Sequence, residues 1–247
     1  YFVCGFVNDA ETYPWMDWFE TTSEIYKNTD ALDQLIPYSV KPKYFDALLG
    51  WAKPHRQIVY DYFKDNDKII ISYLQNRAIS LDANGWIANN DCTIDDNIRN
   101  TITKINYRNK NVSISQVVPF EVYNQSAYSI VAETNYDNHY SFYTEKIVKP
   151  IVAERLFVVF SGQYYLKNLR SLGFETFNSV IDESYDNEPN MFCRYQMVNE
   201  QVNYLLSQPQ SVILEKIKTI TEHNKQVMLD TDWLELCYSK IKNVIGD

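Results

Sequence analysis

The sequence predicts an α/β fold: a Rossmann-type parallel sheet flanked by helices, followed by a helical carboxyl-terminal tail. Three observations carry this. Short, mostly apolar runs at Phe45–Gly50, Lys68–Tyr73, Tyr128–Ala132 and Phe157–Phe160 have the length and composition of strands covered on both faces, as parallel strands are. Segments of helical period lie between them. Beyond residue 189 only helical periodicity remains, over 190–207, 211–228 and 232–245.

Taken in order, Tyr1–Val7 reads as a strand, and Pro14 opens a helix reaching Asn28, with Trp15, Trp18 and Phe19 as packing residues. Asp30–Leu35 reads as a short helix stopped near Pro37, and Pro37 and Pro42 mark turns. The residues before this point are too few for a complete α/β domain. We therefore expect a small or incomplete amino-terminal lobe over 1–45, an α/β domain over 46–188 and terminal helices over 189–247. Pro54 suits the first turn of a helix, where its missing N–H costs nothing, and Ile58, Val59, Tyr62 and Phe63 give that helix its buried face. Residues 76–111 are rich in Asn and Asp and read as loops with a short helix near Ile98–Ile105. Thr144 is the expected N-cap of the next helix, with Ile147, Val148, Ile151, Val152 and Leu156 on its apolar side. Ser161–Gly162 turns the chain, Tyr164–Leu172 reads as an amphipathic helix capped by Gly173, Phe174–Ile181 as a strand, and Asp182–Glu188 as an acidic loop.

Composition narrows the function. At 247 residues the chain can bury a sizeable core, and no run approaches the roughly 18 apolar residues of a membrane helix. We expect no secretory leader, and Cys4, Cys92, Cys193 and Cys237 lack zinc or redox spacing, so we expect reduced thiols in a cytoplasm. A net charge of −9 argues against non-specific binding to nucleic acid or anionic membrane. The six glycines are isolated, which excludes a Walker loop and a dinucleotide fingerprint. Phosphates would have to be held by side chains and helix ends. The acidic pairs Asp65/Asp67, Asp95/Asp96 and Asp230/Asp232 sit in loops or at helix ends and read as structural, so no metal site is expected. Asn111-Val-Ser and Asn124-Gln-Ser fit the glycosylation pattern by chance in an Asn-rich chain.

In a strand–helix–strand unit the ligand lies at the carboxyl ends of the strands. Glu133, Thr134, Asn135 and the Thr144-Glu145-Lys146 turn lie there. A lysine in a first helical turn is mildly unfavourable unless an anion sits beside it, and free N–H groups, dipole and ammonium together suit a phosphate. Arg56 stands likewise in a first turn after a strand, with a planar fork that fits phosphate oxygens. The alternative is that Lys146 faces solvent and pairs with Glu145, and that Arg56 pairs with Asp61 or Glu145. His55 and His139 read as a packed or capping residue and a solvated loop residue.

The run Ala132-Glu-Thr-Asn135, then Ser141-Phe-Tyr-Thr-Glu-Lys146, then an apolar strand and a glycine turn, resembles the donor-binding motif of the α1,3-fucosyltransferase-like glycosyltransferases. That pattern is approximately F-E-N-S…D-Y-V-T-E-K, and Lys53-Pro-His-Arg56 is similar to the arginine segment opening the family's donor domain. The likeness covers about 46–186. Ser141 and Phe142 depart from it, standing where the family has Asp and Tyr, and Glu154-Arg155 replaces a glycine-bearing turn. The resemblance implies a GT-B-like carboxyl-terminal domain that binds a nucleotide-sugar, for example a GDP-linked one, without a metal or other cofactor. It implies that Arg56 and Lys146 neutralise the diphosphate, that Glu145 bonds the ribose or sugar, and that Glu133 and Asn135 lie at the sugar end. Thr134, Tyr143 and Thr144 would line the same pocket, with Arg56, Lys146 and Glu133 as the catalytic set. The implied activity is an inverting transfer of a sugar to a hydroxyl acceptor such as a glycan, with Asp9, Glu11 and Asp17 as the early carboxylates available for the general base. The alternative is a non-catalytic interaction module that keeps a degenerate form of the fold.

Overall fold

A computed structural model describes residues 17–74, 106–107, 110–111, 117–136 and 141–245. The expected strand at 1–7, the helix at 98–105, Trp15, Asp9, Glu11, Asp95/Asp96, His139, Cys4, Cys92 and the side chain of Asp17 lie outside the described residues. In chain order the elements are α1 (Asp17–Lys27), a 3₁₀ turn (Asp30–Gln34), β1 (Lys43–Trp51), α2 (Pro54–Phe63), β2 (Ile69–Leu74), β3 (Asn106–Tyr107), β4 (Lys110–Asn111), α3 (Phe120–Gln125), β5 (Ser126–Ala132), α4 (Glu145–Val152), β6 (Phe157–Phe160), α5 (Tyr165–Arg170), a 3₁₀ turn (Ser184–Asn187), α6 (Met191–Ser207), α7 (Gln210–Asp230) and α8 (Trp233–Ile245).

Four strands form a parallel sheet in the order β2-β1-β5-β6, and β3 and β4 form a separate antiparallel pair. From the central pair, β1 leads outward to β2 and β5 leads outward to β6. Right-handed crossovers running in opposite directions put α2 and α4 on opposite faces. On the α2 face, Phe63 meets Phe160 at 6.2 Å, and Phe160 meets Tyr195 of α6 at 5.0 Å. On the other face α4 packs against α7 and α1. Phe19 of α1 lies 5.6 Å from Tyr143, 5.7 Å from Phe174 and 4.8 Å from Trp233 of α8, so one apolar cluster joins α1, the sheet and the terminal helices. The boundary expected near residue 45 falls inside β1.

The segment Phe174–Ile181 is not a strand, contrary to the sequence reading. Glu183 accepts the Phe177 N–H at 2.7 Å and the Thr176 hydroxyl at 2.6 Å, while Asn224 holds both the N–H and the carbonyl of Glu175. Side chains thus take backbone groups that a ladder would need. Phe174, Phe177, Val180 and Ile181 are still buried, which is why apolar residues recur in the segment.

An ion pair closes the amino-terminal side of the sheet. Arg155, just before β6, meets Asp46 of β1 at 2.6 Å, with both side chains almost fully buried. Its other donors reach the Ser129 and Ser126 hydroxyls and the carbonyls of Tyr123, Ser126 and Tyr128, and its guanidinium lies 4.0 Å from the Tyr123 ring centre. Among the described residues no helix is long and apolar enough to cross a membrane.

Candidate functional site

The neighbouring strands β1 and β5 send their chains to opposite sides, and their carboxyl ends leave the crevice in which open α/β sheets take ligands. The β1 side is shaped by a bulge: its register with β2 shifts between Leu48 and Gly50, and Gly50 has φ +63°. The site of a Cβ on Gly50 is 3.7 Å from Arg56 Nη1, so the bulge sets the backbone beside the guanidinium.

Pro54 occupies the first position of α2, after Lys53 in extended backbone, and the Lys53 ammonium donates to the Thr134 carbonyl at 3.4 Å. His55 is fully buried and bonds the Glu133 carbonyl through Nε2 at 2.7 Å. A carbonyl only accepts, so Nε2 carries the hydrogen. The ring stacks on Tyr136 at 4.1 Å. Burial pushes its pKa down to about 4, with Arg56, Lys53 and Lys146 adding to the effect against the Glu133 carbonyl, so the imidazole is neutral at pH 7. Arg56 is 3% exposed; burial lowers its pKa, opposed first by the nearby charges of Glu133 and Glu145.

On the β5 side, the Glu133 carboxylate is buried and accepts four hydrogen bonds. Oε1 takes the Thr144 N–H at 3.1 Å and the Tyr165 hydroxyl at 3.0 Å, and Oε2 takes the Thr134 N–H at 3.1 Å and the Thr144 hydroxyl at 2.7 Å. Thr144 caps α4 as expected, its oxygen accepting the Lys146 N–H at 3.3 Å and the Lys146 ammonium at 3.2 Å. Lys146 also pairs with Glu145 at 2.8 Å, both largely shielded. Burial works against ionisation of Glu145, but Lys146 and Lys149 outweigh it and hold the carboxyl below its ordinary value. Burial pushes Lys149, one turn on, down to about 8.

The structure thus brings Arg56, Glu133, Thr134, Thr144, Glu145 and Lys146 to one place, where Arg56 and Lys146 share Glu145 as a neighbouring charge. Of the pairings weighed from sequence, Lys146 with Glu145 is present, while Asp61 instead pairs with Lys64 at 2.9 Å. Asn135 is buried at the same strand end, its carbonyl accepting the Ser161 hydroxyl at 3.0 Å. Tyr143 is turned inward: its hydroxyl donates to the Tyr165 carbonyl at 3.1 Å and its ring packs on Phe19 and Tyr165. Sequence reasoning missed Lys53, Tyr136 and Tyr165, and read His55 as a packed or capping residue without its partner. The available signal was His55 itself, an imidazole directly behind a helix-opening proline.

Lys53, Arg56, Lys146 and Lys149 outnumber Glu133 and Glu145, so the crevice is locally positive in a chain of net charge −9. Such a site can hold an anion by side-chain charge together with the N–H groups of two helix ends. Among the described residues no cluster of three or more His, Cys, Asp or Glu could hold a metal ion. Compared with known proteins, the chain matches no family, no curated protein and no solved structure.

Proposed function

We propose that this crevice binds the diphosphate of a nucleotide-sugar, and that the protein is a glycosyltransferase built on the donor half of a GT-B-like fold. The observation that carries the reading is the convergence of two helix N-termini, bearing Arg56 and Lys146, on the carboxyl ends of β1 and β5. In an inverting transfer negative charge develops on the departing nucleoside diphosphate, and preorganised cations stabilise it without a metal. Transfer also needs a carboxylate to take the proton of the acceptor hydroxyl, on a glycan or another alcohol. Glu133 does not fill that role in this arrangement, because both its oxygens are held by protein donors.

Calorimetric titration with GDP, UDP and their sugars, in the presence of chelator, tests the reading. Arg56→Ala and Lys146→Ala should each weaken the best ligand by about tenfold or more, the scale of one charge-assisted contact. Unchanged affinity in both variants refutes the site. The second reading, a non-catalytic interaction module, draws on the direct Glu145–Lys146 pair, in which the site's own charges satisfy each other. It predicts neither hydrolysis nor transfer of any donor.

A further inference from the structure

The geometry points to Glu133 as a positioning residue: it fixes both helix mouths of the crevice and touches no ligand itself. Its functional consequence rests on the diphosphate reading above; its structural consequence does not.

Residue 133 is where the two halves of the site are tied together. Its carbonyl accepts from His55 Nε2 at 2.7 Å, which holds the first turn of α2 and so the backbone that carries Arg56. Its carboxylate accepts the N–H and the hydroxyl of Thr144, which holds the cap of α4 and so the turn that carries Lys146. The Tyr165 hydroxyl and the Thr134 N–H complete both oxygens. A buried carboxylate that already accepts from four protein donors has no lone-pair site left for an outside hydroxyl. One residue just past the end of one strand therefore holds the first turns of two helices that flank opposite faces of the sheet and bear Arg56 and Lys146.

Glu133→Gln separates this role from electrostatics. Whichever oxygen becomes the amide nitrogen, it meets a backbone N–H, Thr144 on one side or Thr134 on the other. The hydroxyls can turn and accept, but a backbone N–H cannot. The substitution also removes a negative charge near an anion site, which taken alone should tighten anion binding. Positioning predicts the opposite sign.

The test uses the full chain and inorganic pyrophosphate, followed by calorimetry, with amide hydrogen exchange on the free protein. Ser129→Ala, in the Asp46–Arg155 network at the middle of β5, is the control for general loss of stability. Expected is about tenfold weaker binding in Glu133→Gln, binding within about twofold of the parent in Ser129→Ala, and faster exchange at residues 144–146 only in the former. Equal or tighter binding in Glu133→Gln overturns the proposal. Should the parent bind neither pyrophosphate nor a nucleoside diphosphate, the diphosphate reading falls and exchange decides alone; unchanged exchange at 144–146 then overturns the positioning role. If Glu133→Gln does not fold, Tyr165→Phe removes one of the four donors, and it should weaken pyrophosphate by about threefold, with unchanged binding counting against the proposal.

Discussion

Replacing Arg155 by Met is the sharpest test of what holds the sheet together. The guanidinium, 6% exposed, makes a 2.6 Å pair with Asp46, itself 3% exposed, and donates to two serine hydroxyls and three backbone carbonyls. Methionine fills a similar volume but leaves the Asp46 carboxylate with only Ser126 and Ser129 as donors. Removing one partner of a buried pair costs about 3–5 kcal/mol, a large share of the roughly 5–15 kcal/mol that holds a domain folded. At about 2–4 °C per kcal/mol for a chain of this size, Tm should fall by roughly 6–20 °C. Calorimetry and urea unfolding read the loss. The double variant Arg155→Met/Asp46→Leu should be less destabilised than Arg155→Met alone, because the stranded charge goes with its partner. A single variant melting within about 3 °C of the parent, or a double variant whose losses simply add, would refute the reasoning. Because the pair lies at the amino-terminal ends of the strands, pyrophosphate affinity measured well below Tm should not change.

Two further outcomes follow from the opposite end of the sheet. The folded pKa of His55, at about 4, lies below the ordinary value of 6.5, so the unfolded chain binds the proton first on acidification. Its contribution is complete above about pH 6.5 and disappears as the pH falls toward 4, about 3 kcal/mol at roughly 1.4 kcal/mol per unit. Urea midpoints measured from pH 7 to 5 should therefore fall more steeply in the parent than in His55→Gln, and equal slopes would contradict a buried neutral imidazole. Gly50→Ala should cost about 1–2 kcal/mol through its left-handed φ of +63° alone, since a Cβ there meets only Arg56 Nη1 at 3.7 Å. Gly50→Asn, which tolerates that conformation better, should cost less in urea unfolding, and equal losses would point to crowding instead.

The strands of the parallel sheet and the start of each crossover helix were legible because local chemistry decides them. Four apolar runs of strand length, Pro54 and the Thr144 cap needed no tertiary information. Phe174–Ile181 misled because burial of Phe174 and Phe177 mimics a strand, while the partners that divert its backbone, Glu183 and Asn224, come later in the chain. Arg155 was read as part of an altered turn, yet a signal existed: Asp46 interrupts an apolar strand, and a charge in that position must be paired. At the crevice, residue types and helix positions could be read from sequence. That Glu133 faces inward could not, because three of its four donors, the N–H and hydroxyl of Thr144 and the hydroxyl of Tyr165, arrive from α4's cap and α5.

Every residue of β5 is buried, so its pattern of side chains offers no inside and outside by which the strand could measure its own alignment. A slip of one place, about 3.3 Å along the strand, would leave the apolar count nearly unchanged. What forbids the slip is a set of polar stops: the Ser126 hydroxyl at the start and the Ser129 hydroxyl at the middle, both locked to a charge pair, and a carboxylate locked to a helix cap just past the finish. The central strand is therefore kept in frame by its few polar groups, and apolar exchanges at Ile130 or Val131 can alter stability without moving the crevice.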